Sequence, residues 1–258
     1  MIDTHCHLTD HRFEGGVNAV IERARIAGVS NILCAASNVE DSERAALIAS
    51  QFPDVYCSAG VHPHDSSKVE DGYLAKIESL NKSSRCVALG EIGLDYHYDF
   101  SPPAVQQECF ARQLEIALRL DATVIVHTRE AFDDTISILD ESGIDMTRVI
   151  FHSFTGGRDE ARVVIDKGAS ISFSGIVTFK NAAATREAAA MVPEDKILAE
   201  TDSPYLSPEP IRNVRPNEPA HVIHVARRLA EIRNISLDEM APILSCNAKR
   251  ILGLQSDG

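Results

Sequence analysis

His5 and His7 stand two positions apart in the run MIDTHCHL, and the two-residue repeat of an extended chain turns both imidazoles to one face. Such a pair can grip one cation, while Cys6 between them points the other way. Four more groups able to ligate a metal end separate apolar runs: Glu91 in ALGEIGLD, His127 in VIVHTRE, His152 in VIFHSF and Asp202 in ILAETDSPYL. One histidine in such a place is ordinarily a hydrogen-bonded core residue; the same placement at four run ends points to a shared metal centre. Imidazole with carboxylate and no thiolate suits zinc, manganese, iron or magnesium and argues against a structural cysteine-type zinc site. Six ligands exceed what one tetrahedral ion takes. Two ions sharing a carboxylate, about 3.5–4 Å apart, are the economical arrangement and the usual hydrolytic one.

Short β-branched or apolar runs recur along the chain and must position these groups. They are residues 1–7, 29–36, 55–61, 86–91, 123–127, 149–152, 169–174 and 197–202. All are too short for buried helices and are punctuated by Gly, Pro or Asn, so they read as strands. Amphipathic stretches over 16–27, 105–120 and 219–232 lie between them, and strand alternating with helix demands a parallel sheet. Eight units of roughly 30 residues predict a closed (β/α)8 TIM barrel forming a single domain over 1–258. An open doubly wound sheet fits less well, because the first strand ends in His-Cys-His rather than in a glycine-rich phosphate turn. An extra C-terminal helix is expected over 236–252, with Ser236 as its cap and Glu239 at the capping-box position. In such a barrel the C-terminal strand ends line the catalytic mouth, where all six candidate ligands fall.

The chain of 258 residues is 44% apolar and 24% charged, enough for one large core. Its six cysteines form no CxxC pair, which predicts free buried thiols and a reducing, cytoplasmic location. The first residues do not read as a secretory signal, and no window approaches the ~18 apolar residues a membrane span needs, so no membrane association is expected. A net charge of −13 opposes nonspecific coating of nucleic acid, although cations bound in a cleft reverse that sign locally.

The motifs resemble those of the TatD family of metal-dependent deoxyribonucleases, among the amidohydrolase-type barrels that open with D-x-H-x-H. Asp3-Thr4-His5-Cys6-His7 is that opening. The likeness continues through Gly60-Val61-His62-Pro63-His64, Gly90-Glu91-Ile92-Gly93-Leu94-Asp95-Tyr96, His127-Thr128-Arg129, His152-Ser153-Phe154, Glu200-Thr201-Asp202-Ser203-Pro204-Tyr205-Leu206, Asn217-Glu218-Pro219 and Asn247, in order over almost the whole chain. It implies metal-dependent cleavage of DNA phosphodiesters from a 3′ end, using two divalent ions (Mg, Mn or Zn) per chain. It further implies one ion on His5, His7 and Asp202, another on His127 and His152, and Glu91 as the bridge. Barrels of the phosphotriesterase kind often bridge with a carboxylated lysine at the end of the fourth strand; VALGEIGLDY has none.

Under that reading Asp202 and Glu91 are the catalytic carboxylates, Asp202 serving as ligand and as acceptor of the attacking water's proton. His62, His64, Arg129 and Lys180 are the candidate substrate contacts, for Arg129 against a salt bridge to Glu130. Glu200 and Asp95 are expected to orient ligands from behind, Tyr96 to shape the mouth, Glu218 to line it and Asn217 to cap the following helix. The expected partner is DNA, single-stranded or at 3′ ends, and no stable protein partner is evident. The competing functions are a metal-dependent esterase or lactonase, a D-aminoacyl-tRNA deacylase-type hydrolase, and a non-catalytic metal- or partner-binding barrel, whose mark would be a lost ligand.

Overall fold

The computed structural model describes residues 1–13, 16–98 and 100–254; the last residues of the expected domain, 255–258, lie outside them. Strands and helices follow in the order β1 (Ile2–Cys6), α1 (Val17–Ile26), β2 (Asn31–Cys34), α2 (Val39–Gln51), β3 (Val55–Ala59), α3 (Tyr73–Leu80), β4 (Cys86–Asp95), α4 (Pro103–Leu120), β5 (Val124–Arg129), α5 (Phe132–Ser142), β6 (Val149–Phe151), α6 (Arg158–Asp166), β7 (Ser170–Phe173), α7 (Ala183–Met191), β8 (Ile197–Ala199), α8 (Val222–Arg233) and α9 (Leu237–Ile251). The strands join one eight-stranded sheet in sequence order. A parallel bridge between Cys6 and Ser203 sets β1 against the chain just past β8, completing the expected (β/α)8 topology with α9 as the extra helix. No helix among the described residues is long and apolar enough to cross a membrane.

Contacts divide the chain into two compact units, residues 1–34 with 152–258, and residues 35–151. In the first, β1 pairs with β2 and β7 with β8, and α1 buries Val20, Ile21 and Ala24. The predicted C-terminal helix forms with its capping box, Ser236 accepting from Glu239 N while Glu239 accepts from Ser236 N. The helix expected over 219–232 begins instead as a 3-10 turn, Pro219–His221, before α8.

In the second unit β3, β4, β5 and β6 pair in parallel. Helix α4 starts at Pro103, whose missing N–H costs nothing in a first turn, and turns Gln106, Cys109, Phe110, Gln113, Leu114 and Ala117 inward at helical spacing. Burying Phe110 and Leu114 contributes roughly 1.5–3 kcal/mol each. The two buried glutamines act on the backbone. Gln106 accepts from Asp95 N at 2.8 Å and donates to Asp95 O at 2.9 Å, and Gln113 treats Val61 the same way at 2.8 and 3.0 Å. One helix thereby fixes the ends of both β3 and β4.

Several strand ends differ from expectation. Glu91 lies within β4, which continues to Asp95, and His127 lies within β5, which continues to Arg129, because the pairing Leu94↔Thr128 and Asp95↔Arg129 extends both. That close pairing requires Gly93. Its φ is +139°, and a Cβ there would lie 2.0 Å from His127 O. Conversely β8 stops at Ala199, and Asp202 follows in the left-handed region at φ +54°, which Asp tolerates better than most residues.

Candidate metal centre

In the first unit His5, buried within β1, and His7, just past its end, aim their rings together, with Nε2 atoms 3.3 Å apart. Cys6 turns away and its thiol donates to Leu33 O at 3.5 Å. Asp202 Oδ1 lies 3.9 Å from His5 Nε2 and 3.5 Å from His7 Nε2. Backbone bonds hold this approach, Asp202 N donating to His5 O at 2.9 Å and His7 N to Ser203 O at 2.7 Å. Donors about 2.0–2.1 Å from a tetrahedral ion stand about 3.3–3.4 Å apart, so this triad has nearly the span that a divalent cation requires.

His152 follows β6 and stacks on His5, ring centroids 4.1 Å apart and planes at 16°. Its Nδ1 lies 3.2 Å from Glu200 Oε1, which also accepts from Ser153 N at 2.8 Å. Glu200 is fully buried, and its Oε2 has no hydrogen-bond partner among the described residues. A buried carboxylate oxygen left over in a cluster of imidazoles is what a cation, or a proton of a bound water, would satisfy. His5, His152 and Glu200 bring one donor atom each within 4.8 Å of one another, as do His5, His7 and Asp202.

Asp3 performs a task not assigned to it above. Oδ1 accepts from Thr201 N at 2.8 Å and Oδ2 from Thr201 Oγ1 at 2.6 Å, tying β1 to the segment carrying Glu200 and Asp202. Burial pushes the Asp3 carboxyl up to about 8 against the pull of those bonds. At Asp202 burial also pushes upward, but the hydrogen bond with His7 and the nearby His5 and His152 outweigh it, so the carboxyl falls below its ordinary value and is ionised at neutral pH.

The second unit gathers a separate group. The β4/β5 register sets Gly93 opposite His127, bringing His127 Nδ1 to 2.8 Å from Glu91 Oε1. His62, after β3, reaches the same oxygen at 3.4 Å. Behind them Asp95 Oδ2 receives His127 Nε2 at 3.0 Å and His64 Nε2 at 2.9 Å. Asp95 thus holds the His127 ring from the nitrogen opposite Glu91, the arrangement that orients a metal-bound imidazole. Burial lowers His62 to about 4, so its ring is neutral; Nδ1 accepts from His64 N at 3.1 Å, which leaves Nε2 to face Glu91. His62, Glu91 and His127 also lie within 4.8 Å of one another by one donor atom each.

The six sequence-predicted ligands therefore distribute as His5, His7, His152 and Asp202 in one unit and Glu91 and His127 in the other. His62, expected at the substrate, sits with two candidate ligands, Glu91 and His127. The signal for this was present in its position at the end of the third strand-like run. Arg129 is exposed, its guanidinium 4.9 Å over the Tyr98 ring, while Glu130 pairs with His97 at 2.6 Å rather than with Arg129. Tyr96 hydroxyl donates to Asp134 at 2.7 Å. Lys180 is exposed beyond β7. Two expectations are corrected. Asn217 does not cap the following turn, which starts from Glu218; its amide donates to Thr201 O at 3.0 Å and Tyr205 O at 2.6 Å, pinning the loop after β8. Glu218 does not line the mouth but takes Arg23 of α1 in a two-armed pair, both contacts 2.7 Å.

The family model of TatD-related DNases matches residues 2–253. An uncharacterized metal-dependent hydrolase of Bacillus subtilis, YabD, is 37% identical over 251 residues, spanning 97% of this chain and 98% of that protein. A protein of Pectobacterium atrosepticum described as the 3′-5′ ssDNA/RNA exonuclease TatD is 35% identical over 260 residues, spanning 98% and 100%. Among solved structures, YJJV, a TatD homologue from Escherichia coli K12, matches with a TM-score of 0.93 at 30% identity, covering 99% of this chain and 98% of that one.

Proposed function

Since this chain belongs to the TatD family and is a metal-dependent hydrolase, we propose that it removes nucleotides from the 3′ end of single-stranded DNA, using two divalent cations of the Mg, Mn or Zn type. The observation that carries this reading is the convergence of imidazole and carboxylate donors, without any thiolate, in His5/His7/Asp202 and in His62/Glu91/His127. The 3′-5′ ssDNA/RNA exonuclease activity ascribed to the Pectobacterium relative supports nucleic acid as the substrate. When bound, such cations bring the pKa of a water toward neutrality and offset charge on phosphoryl oxygens.

The chain's own residues do the rest. Asp202, kept ionised by His7, accepts the attacking water's proton. Asp95 and Glu200 hold His127 and His152 in fixed orientation. Tyr205, exposed at 45%, presents its ring near His7, centroids 6.1 Å apart, and Arg12 covers it from 4.2 Å. A terminal base can stack there, a contact worth about 1–3 kcal/mol. A cytoplasmic location goes with this reading and is supported by six free cysteines.

The test is a 5′-labelled single-stranded oligonucleotide incubated with Mg or Mn, beside the same assay on Glu91→Ala and on simple carboxylic esters. The wild type should shorten the strand one nucleotide at a time from the 3′ end. Glu91→Ala should lose on the order of 10²–10³-fold in rate and bind less metal. Loss of both ions on that substitution would support Glu91 as the shared ligand that the family resemblance implies. Unchanged rate and metal content would remove Glu91 from the centre, and turnover of esters alone would overturn the choice of substrate.

A further inference from the structure

A second feature of the first unit lies beyond the metal ligands. Past β7 the chain runs through a 3-10 turn, Gly175–Thr178, to Phe179 and Lys180, and packs against the segment after β8. Gly175 makes this contact possible, since a Cβ there would lie 1.9 Å from Leu206 O. Glu209 N donates to Thr178 Oγ1 at 2.9 Å and extends the junction. Leu206 directly follows Tyr205, whose ring stands beside His7, so this junction is continuous with the metal-binding residues.

Between it and α8 opens a cavity of about 450 Å³, lined among others by Phe179, Lys180, Arg186, Arg227, Arg228 and His224. Four basic side chains there face two acids, Glu209 and Glu231, on a chain whose net charge is −13. Arg186 fastens the loop, donating to Phe179 O at 2.6 Å and Lys180 O at 3.3 Å. Arg228 reaches Glu231 at 2.8 Å, while its buried Nε has no hydrogen-bond partner among the described residues. Lys180 and Arg227 are exposed at the rim. Arg212 lies 3.6 Å from the centre of the ring of Phe179, which lines the cavity, and so sets beside that residue a flat guanidinium of the kind on which bases stack. Burial and the charge of Arg227 lower His224, which keeps it a neutral donor.

We propose that this cavity is a strand-binding subsite. Lys180, Arg186, Arg227 and Arg228 receive a backbone phosphate of single-stranded nucleic acid, and the Arg212–Phe179 pair receives a base, some nucleotides to the 5′ side of the end being cleaved. This assignment rests on the substrate reading above. It gives Lys180 a place on the body of the strand rather than at the scissile phosphate. Guanidinium and ammonium groups that neutralise phosphates release counterions, so the subsite also makes binding dependent on salt.

The experiment compares kcat/KM on a 3-mer and a 12-mer of single-stranded DNA, and the salt dependence of 12-mer binding in EDTA. The proteins are the wild type, Arg227→Glu, the double variant Lys180→Ala/Arg227→Ala, and Arg112→Glu on the exposed face of α4 as a control of equal charge change. The wild type should prefer the 12-mer. Both pocket variants should lose about tenfold of that preference, and the double variant should flatten the salt slope by up to about 0.7, the share of one phosphate contact on a single strand. The control should keep both. A wild type that digests DNA with a length preference and salt slope untouched by the pocket variants overturns the subsite and leaves the substrate reading standing. A wild type that neither cleaves nor binds DNA overturns both.

Discussion

Asp95 meets two imidazoles at one oxygen and two backbone amides at the other. His64 and His127 reach Oδ2, while His97 N and Tyr98 N donate to Oδ1 at 3.0 and 3.1 Å. Burial raises its pKa, but the bonds with His127 and His64 overcome that and hold the carboxyl well below the usual range. Asparagine in its place can keep an oxygen for the two amides and presents an NH₂ that cannot accept from either ring. Asp95→Asn should therefore fold as the wild type and lose about 10–100-fold in metal affinity or activity. Calorimetric titration with Mn²⁺ checks this, and wild-type affinity would deny Asp95 an orienting role. Glu200 stands in a similar relation to His152, with its second oxygen buried and without a hydrogen-bond partner among the described residues.

At the scale of elements, β4 carries the second donor group. It runs past Glu91 to Asp95 because its partner β5 continues to Arg129, and both carboxylates reach His127 from this one strand. The approach of the two strands depends on Gly93, where a methyl group would meet His127 O at 2.0 Å. Gly93→Ala adds a backbone clash to an unfavourable positive φ, and should cost about 2–4 kcal/mol. A fall in the urea midpoint together with lost metal binding is expected. An unchanged midpoint would show that the strands can part without penalty. Helix α4 acts on the same region through Gln106 and Gln113, a use of buried amides to set strand ends that apolar packing alone cannot supply.

At the scale of the molecule, each compact unit supplies a set of candidate donors, so under the proposed function metal occupancy should add to the stability of both. A ligand at a hundred times its Kd stabilises the native state by about 2.7 kcal/mol, which corresponds to a Tm increase of about 5–10 °C for a chain of this size. Chelation followed by calorimetry should show that loss, and readdition of Mn²⁺ or Zn²⁺ should restore it; a Tm indifferent to both would mean that neither set holds an ion.

What depends on near neighbours along the chain is legible in the residues alone. The alternation of strand and helix, the shared face of His5 and His7, and the Ser236–Glu239 cap are set by local periodicity and by hydrogen bonds spanning a few residues. Which distant groups meet is settled by packing across the fold. His62 joins Glu91 and His127, Asp3 reaches Thr201, Asn217 pins the loop after β8, Glu218 goes to Arg23, and Lys180 joins the arginines of α8. Those meetings follow from strand register and from loops closing on helices far away in the chain. Neither is written in any short window of residues.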